Sequence, residues 1–129
     1  MDRKKQQQAI VERYIQAYNA FDVEGMLFHL HDDVVFRNIS NGEINLETRG
    51  KTAFAEQGRL AAGYFTERKQ TITNIKFPED QVVEVDIDYQ GVLAVDFPNG
   101  MNRGDRIALK GRSYFRLAGD HIIEIEDIS

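Results

Sequence analysis

One carboxylate in this sequence stands where proton transfer is feasible. Ile123, Ile125 and Asp127 alternate with Glu124 and Glu126, and a period of two sends alternate residues of a strand to opposite faces. An acid sharing an apolar row with two isoleucines loses hydration, so its pKa rises. That suits a general acid or base near neutrality. The row depends on the hairpin before it. An odd loop from Ala118 to Asp120 pairs Leu117 with His121 and Phe115 with Ile123, and the apolar rows then agree. A two-residue turn would bring Glu124 and Glu126 inward, against the cost of burying charge. In the alternative reading the last strand frays and Asp127 stands in water.

Three further side chains could serve the same chemistry. Tyr14 and Tyr18 fall on the inward face of a first helix. A phenol there donates to a substrate oxyanion, or is a core aromatic with a satisfied hydroxyl. Asn38 shares a row with Val34 and Phe36; its amide can orient a ligand or a water but cannot take a proton. Ser113 lies on an inward row without an evident histidine base, so it reads as a packed or lining residue rather than a nucleophile.

Other chemistries find no support. The chain has no cysteine, which excludes a disulfide scaffold, a thiolate metal site and a thiol nucleophile. His29 and His31 are two apart and His121 sits at a hairpin, so no pair has ligand spacing and no metal or cofactor is expected. Gly50-Lys51-Thr52 resembles the end of a phosphate-binding loop, but Asn45 stands where that pattern needs glycine. The segment reads instead as the start of a helix.

The elements that must position these residues follow from periodicity. Ile10, Tyr14, Ala17 and Phe21 form one helical face. Asp22 caps a second short helix whose buried side is Met26, Leu27 and Leu30. After Asp32-Asp33, a strand begins at Val34-Val35-Phe36, and Asn41-Gly42 marks a hairpin turn. A third helix after Gly50 carries Phe54, Ala61 and Phe65. From Thr71 the period becomes two. Val83, Val85, Ile87 and Tyr89 alternate with acids, Ile107 to Leu117 with basic residues, and Ile123 to Asp127 with acids again. Opposite charges on facing strands attract, so the 105–117 strand lies between the other two in an antiparallel meander. Pro98-Asn99-Gly100 and Gly119-Asp120 mark turns.

The order of elements implies an α+β fold: three N-terminal helices packed on a curved, mainly antiparallel sheet that forms a cone with an internal pocket. Tyr18, Phe36, Phe54, Val85, Ile87, Ser113, Phe115 and Ile125 are its expected lining. At 129 residues and without a Gly/Ser/Pro-rich linker, residues 1–129 are expected to form a single domain. A net charge of -5 disfavours nucleic acid and anionic membrane. No apolar run is long enough to span a bilayer and the start does not read as a signal peptide, so the expected location is the cytoplasm.

With the helices, the Asn41-Gly42 turn and the long strands placed, the chain resembles the nuclear transport factor 2-like superfamily from about residue 8 to residue 128. The likeness is closest in Val11-Glu12-Arg13-Tyr14, Asn19 to Gly25, Asp32-Asp33-Val34-Val35-Phe36 and Tyr114-Phe115-Arg116-Leu117. That group includes ketosteroid isomerases, SnoaL-type polyketide cyclases and limonene epoxide hydrolases. Tyr14 falls where ketosteroid isomerases keep an oxyanion-hole tyrosine, but Asn38 replaces their base and Ser113 their protonated acid. The resemblance therefore implies no typical ketosteroid isomerase. Limonene epoxide hydrolases keep an acid at the position of Asp127, while Gln90 and Val92 fall near their other catalytic positions. The 91–105 connection is similar to the SnoaL-like branch.

Two readings follow. One is an acid/base isomerase, cyclase or hydrolase acting on a small, largely apolar carbonyl compound or epoxide, with Asp127, Tyr14 and Asn38 as catalytic groups. The other is a non-catalytic ligand-binding or dimerisation module. The resemblance also implies a homodimer through the outer sheet face.

Overall fold

The computed structural model of the chain describes residues 3–129. Helix α1 spans Arg3–Asn19, α2 Val23–Phe28 and α3 Lys51–Ala62. The strands are β1 (Leu30–Ser40), β2 (Glu43–Arg49), β3 (Phe65–Lys76), β4 (Val82–Leu93), β5 (Arg106–Ala118) and β6 (His121–Ile128). They form one curved, unclosed mixed sheet in the order β2-β1-β6-β5-β4-β3. Every neighbouring pair is antiparallel except β1 and β6, which run parallel. No helix of the described residues is long and apolar enough to cross a membrane.

Local chemistry explains the boundaries. In α1, Gln7, Val11, Tyr14 and Ile15 are buried, the stripe a helix of period 3.6 turns toward a sheet. The Asp22 carboxylate accepts from the Gly25 N–H at 2.9 Å and caps α2. Asn41 and Gly42 both have positive φ, 54° and 79°, the left-handed pair of a type I′ hairpin turn joining β1 and β2. Gly100 N–H donates to the Phe97 carbonyl at 3.3 Å, which places Pro98 at the second position of that turn. Gly50, at φ 87°, precedes α3, and its N–H donates to the Val34 carbonyl at 2.8 Å. That bond ties the helix to β1.

Three expectations from periodicity are corrected. Leu30 is buried, but as the first residue of β1 beside Ile122 rather than as part of α2. Backbone pairing with β6 outweighs the helical spacing of one leucine. Helix α3 stops at Ala62, and Phe65 opens β3 six residues before the expected strand start at Thr71. Gly63 caps the helix, its N–H bonding back to Arg59 and Leu60. The odd loop between β5 and β6 is also overturned. Ala118 pairs with His121 across a two-residue turn with Gly119 at φ 63°. Leu117 then pairs with Ile122 and Arg116 with Glu124, which leaves Ile123 as an extra residue, a β-bulge. The bulge reverses the parity of the strand. Ile122 faces inward before it, and Ile125 and Asp127 after it, so Ile123 does not share their row.

One hydrophobic cluster joins helices and sheet. It includes Val11, Tyr14, Val34, Phe54, Val83, Val85, Phe115, Ile122 and Ile125. Full burial of each such aliphatic or aromatic side chain contributes roughly 1.5–3 kcal/mol. The outer face carries the expected acidic, basic, acidic order across β4, β5 and β6. Arg112 meets Asp86 at 3.0 Å and Arg116 meets Glu124 at 3.5 Å. Arg37 of β1 binds Glu47, Glu124 and Glu126 at 2.7, 2.9 and 3.2 Å. These bonds hold Glu124 and Glu126 outward and so keep Asp127 inward.

Candidate functional site

Adjacent strands deliver the polar groups in a single row. Asn38 of β1 is the register partner of Asp127 of β6, and Asp127 is the partner of Ser113 of β5. The next row toward the core is Phe36, Ile125 and Phe115. The Ser113 hydroxyl donates to Asp127 Oδ1 at 2.7 Å. The Asn38 amide does not turn to the acid: its Nδ2 donates to Asn45 Oδ1 at 2.9 Å, where a bulge in β2 brings Asn45 alongside.

The end of β6 is seated rather than frayed. Ile128 is paired with Ile39 on one side and Arg112 on the other, and Ser129 N–H donates to the Ile39 carbonyl at 3.0 Å. Gly111 makes room for this. A Cβ there would lie 2.9 Å from the Ile128 carbonyl oxygen, so the strand end closes over β5 only because no side chain intervenes.

Two hollows open beside the row and share part of their lining. The inner one, about 200 Å³, is lined by Tyr14, Tyr18, Phe36, Asn38, Phe54, Gln57, Arg68 and Asp127. The outer one, about 400 Å³, is lined by Tyr18, Asn38, Phe65, Ile87, Tyr89, Leu109, Ser113 and Asp127. Tyr18, Asn38, Ala61 and Asp127 belong to both. Val85, Phe115 and Ile125 lie in the core beneath the hollows and touch neither. Among the described residues, no cluster of three or more His, Asp or Glu side chains could hold a metal ion.

Burial sets the protonation chemistry. Loss of water pushes the Asp127 carboxyl up to about 6, and the Ser113 hydrogen bond holds it back. Burial also keeps the Tyr14 phenol well above its ordinary value, and the Asp127 charge adds to the effect. Tyr14 is therefore a donor at neutral pH. Its ring packs edge-on against Phe115 at 5.6 Å, and no hydrogen-bond partner for its hydroxyl occurs among the described residues. Tyr18 and Tyr89 share a hydrogen bond of 2.9 Å between their hydroxyls. Burial raises both phenols, and the Arg68 cation opposes the shift.

Arg68 was not among the residues singled out by spacing. It is 5% exposed, yet it sits in the run Thr66-Glu67-Arg68-Lys69-Gln70, whose composition is that of a solvated edge. A signal existed: counting back by twos from the inward Ile72 reaches Gln70 and then Arg68. Tyr89, Gln57 and Phe65 also line the hollows without having been assigned there.

Helices covering one face of an open, curved sheet, with an acid among tyrosines on the concave side, define an α+β protein with an acid-bearing hollow. A SnoaL-like domain model matches residues 11–125, and the chain belongs to the SnoaL-like domain family. Solved structures agree in fold. A candidate polyketide cyclase of Xanthomonas campestris pv. campestris superposes with a TM-score of 0.78 at 19% identity, over 97% of this chain and 90% of that one. A cystatin-fold protein of Novosphingobium aromaticivorans gives 0.76 at 17% identity, over 95% and 97%. A protein of Catenulispora acidiphila with a ketosteroid isomerase-like fold, in complex with trimethylamine, gives 0.73 at 14% identity, over 92% and 82%. A search of curated proteins returned no match. At these identities the structural likenesses establish the fold alone.

Proposed function

We propose that the chain, working as a single SnoaL-like domain over residues 1–129, binds a small, largely apolar carbonyl compound or epoxide and moves one proton on it. The reaction would be an isomerisation, a cyclisation or a hydrolytic opening. The observation that carries this reading is the Asp127 carboxyl, raised to about 6 and held by Ser113 on the wall of both hollows. A group titrating there exchanges a proton readily at neutral pH. In this reading Asp127 takes and returns the proton. Tyr14, whose phenol stays protonated, donates to the developing oxyanion. Asn38 presents its amide oxygen to a ligand or a water while Asn45 holds the nitrogen. The description of the Xanthomonas relative as a candidate polyketide cyclase supports carbonyl chemistry of this kind.

The test uses small cyclic ketones, β-keto esters and epoxides in heavy water, followed by NMR. The wild type should deuterate an α-carbon or open an epoxide above the buffer rate, and Asp127→Asn should not, with an unchanged circular dichroism spectrum. Equal rates in the two proteins remove the proposal.

A second reading rests on the residues beside Asp127. Asn38 and Ser113 stand where ketosteroid isomerases keep acids, and a hollow with a single acid also serves a non-catalytic binding module. The outer sheet face, with its paired charges, is the surface such a module would use to form a homodimer. A light-scattering mass near twice 14.8 kDa would support the dimer, and a monomer mass would end it.

A further inference from the structure

Arg68 occupies an unusual position for a cation. It is 5% exposed, and among the described residues no carboxylate lies within ion-pair distance of it. Its Nε donates to the Tyr18 carbonyl at 3.0 Å, but its Nη2 is buried without a hydrogen-bond partner. The guanidinium carbon lies 3.7 Å from the centre of the Tyr18 ring and 4.6 Å from that of Phe21. Such stacking offsets part of the lost hydration. It does not supply an anion, and a buried charge without a counter-ion is costly.

The surrounding backbone holds the arrangement in place. Phe21 has φ 58°, a left-handed conformation that a bulky residue adopts at a cost. Asn19 bonds both the carbonyl and the N–H of Gln70, at 3.0 and 2.7 Å, and so clamps the end of α1 to β3. Arg68 lines the same inner hollow as Asp127 and Tyr14. Asp127 is not its counter-ion, since that carboxylate accepts from Ser113 and forms no ion pair with Arg68.

We propose that Arg68 is the receptor for a carboxylate carried by the ligand, so that the inner hollow takes a small monocarboxylic acid with an apolar body. This rests on the reading of the hollow as the ligand site and deepens it. Arg68 lines the inner hollow, and a planar guanidinium there matches a carboxylate better than any neutral oxygen. Arg68 is the one Lys or Arg side chain lining the inner hollow among the described residues, which favours a monoanion over a polyanion. The inner hollow, about 200 Å³, suits a compact acid. Aromatic walls at Phe36 and Phe54 suit its apolar body.

The experiment compares phenylacetate with phenylacetamide, and 4-methylpentanoate with its amide, by NMR titration at millimolar concentration. The wild type should bind each acid at least about tenfold more tightly than its amide, the advantage expected of a charge-assisted pair. Arg68→Met should bind acid and amide alike. Arg68→Lys, which keeps the cation, guards against loss of folding in the Met variant; it should weaken acid binding severalfold and leave amide binding unchanged. Urea unfolding of each variant reports any structural role separately. Asp127→Asn should keep the preference for acids, so failure of proton transfer and failure of anion recognition are distinguishable. The proposal is overturned if the wild type shows no preference, if it binds none of the acids, or if the Arg68 variants discriminate as the wild type does.

Discussion

The Ser113 hydroxyl donates to Asp127 Oδ1 at 2.7 Å, from the strand beside it and at its own register position. This bond stabilises the ionised acid and is the one influence that opposes the rise caused by burial. The pair thus sets where the proton leaves. Neither residue does so alone, because a hydroxyl without an acid is a lining group and an acid without a donor would ionise at a still higher pH.

Ser113→Ala should move the Asp127 titration upward from about 6. Carbon-13 NMR of the aspartate carboxyls across the acid range reads this directly. A titration midpoint unchanged by the substitution would show that the hydroxyl does not reach the ionised acid in solution.

Asp127 should also shape stability. The folded chain holds this proton up to about pH 6, whereas the ordinary value is 3.8. Below both values the acid is protonated in either state and costs nothing. As pH rises through this window the unfolded chain releases its proton first, so stability falls, and it levels above about 6. At about 1.4 kcal/mol per unit the loss is on the order of 3 kcal/mol at pH 7. Asp127→Asn should be more stable than the wild type at pH 7 and show a flatter profile between pH 4 and 6. Urea unfolding at several pH values checks both the sign and the window.

Gly111→Ala should disturb the site from behind. The new methyl would meet the Ile128 carbonyl at 2.9 Å, an atom fixed by the sheet. Overpacking of this kind costs about 1–3 kcal/mol. The expected response is a lifted end of β6, seen as faster amide exchange at Ile128 and Ser129 together with a lower Asp127 titration midpoint as water enters. A variant with wild-type exchange would show that the strand end is not held by this contact.

Arg37→Gln should leave Glu47, Glu124 and Glu126 facing one another without the cation that joins them. Hydrogen bonding to Arg37 holds the Glu47 carboxyl below its usual value. This contribution is present above the unfolded pKa and is lost as pH falls through the folded one. The variant should be less stable at neutral pH, with a deficit that shrinks in high salt and in acid. Thermal melts over a salt series distinguish this from a simple packing loss, which salt would leave unchanged.

Much of the architecture was readable one element at a time. The helical face of Ile10, Tyr14 and Ala17, the Asp22 cap, the Asn41-Gly42 turn and the Pro98 turn each act through neighbours in the chain, so local spacing reports them. The alternation of acids and bases across β4, β5 and β6 correctly placed β5 in the middle, because cross-strand attraction leaves a pattern in composition. The row containing Ile125 and Asp127 was also anticipated, but through the wrong loop.

What local pattern could not supply was decided by contacts between distant segments. The bulge at Ile123 exists because a two-residue turn at Gly119-Asp120 would otherwise send Glu124 and Glu126 into the core, and only the packed sheet imposes that cost. Phe65 leaves its helical spacing for β3 because pairing with Leu93 of β4 satisfies a strand there. Arg68 is buried by Tyr18 and Phe21, nearly fifty residues away, and the charged composition around it masks the row of alternate residues it shares with Gln70 and Ile72. The sequence by itself determined the caps, the turns, the alternating strands from Thr71 onward and the one acid that shares a row with Ile125. The tertiary structure decided which groups that acid meets, since burial and register are properties of the assembled sheet and not of any one strand.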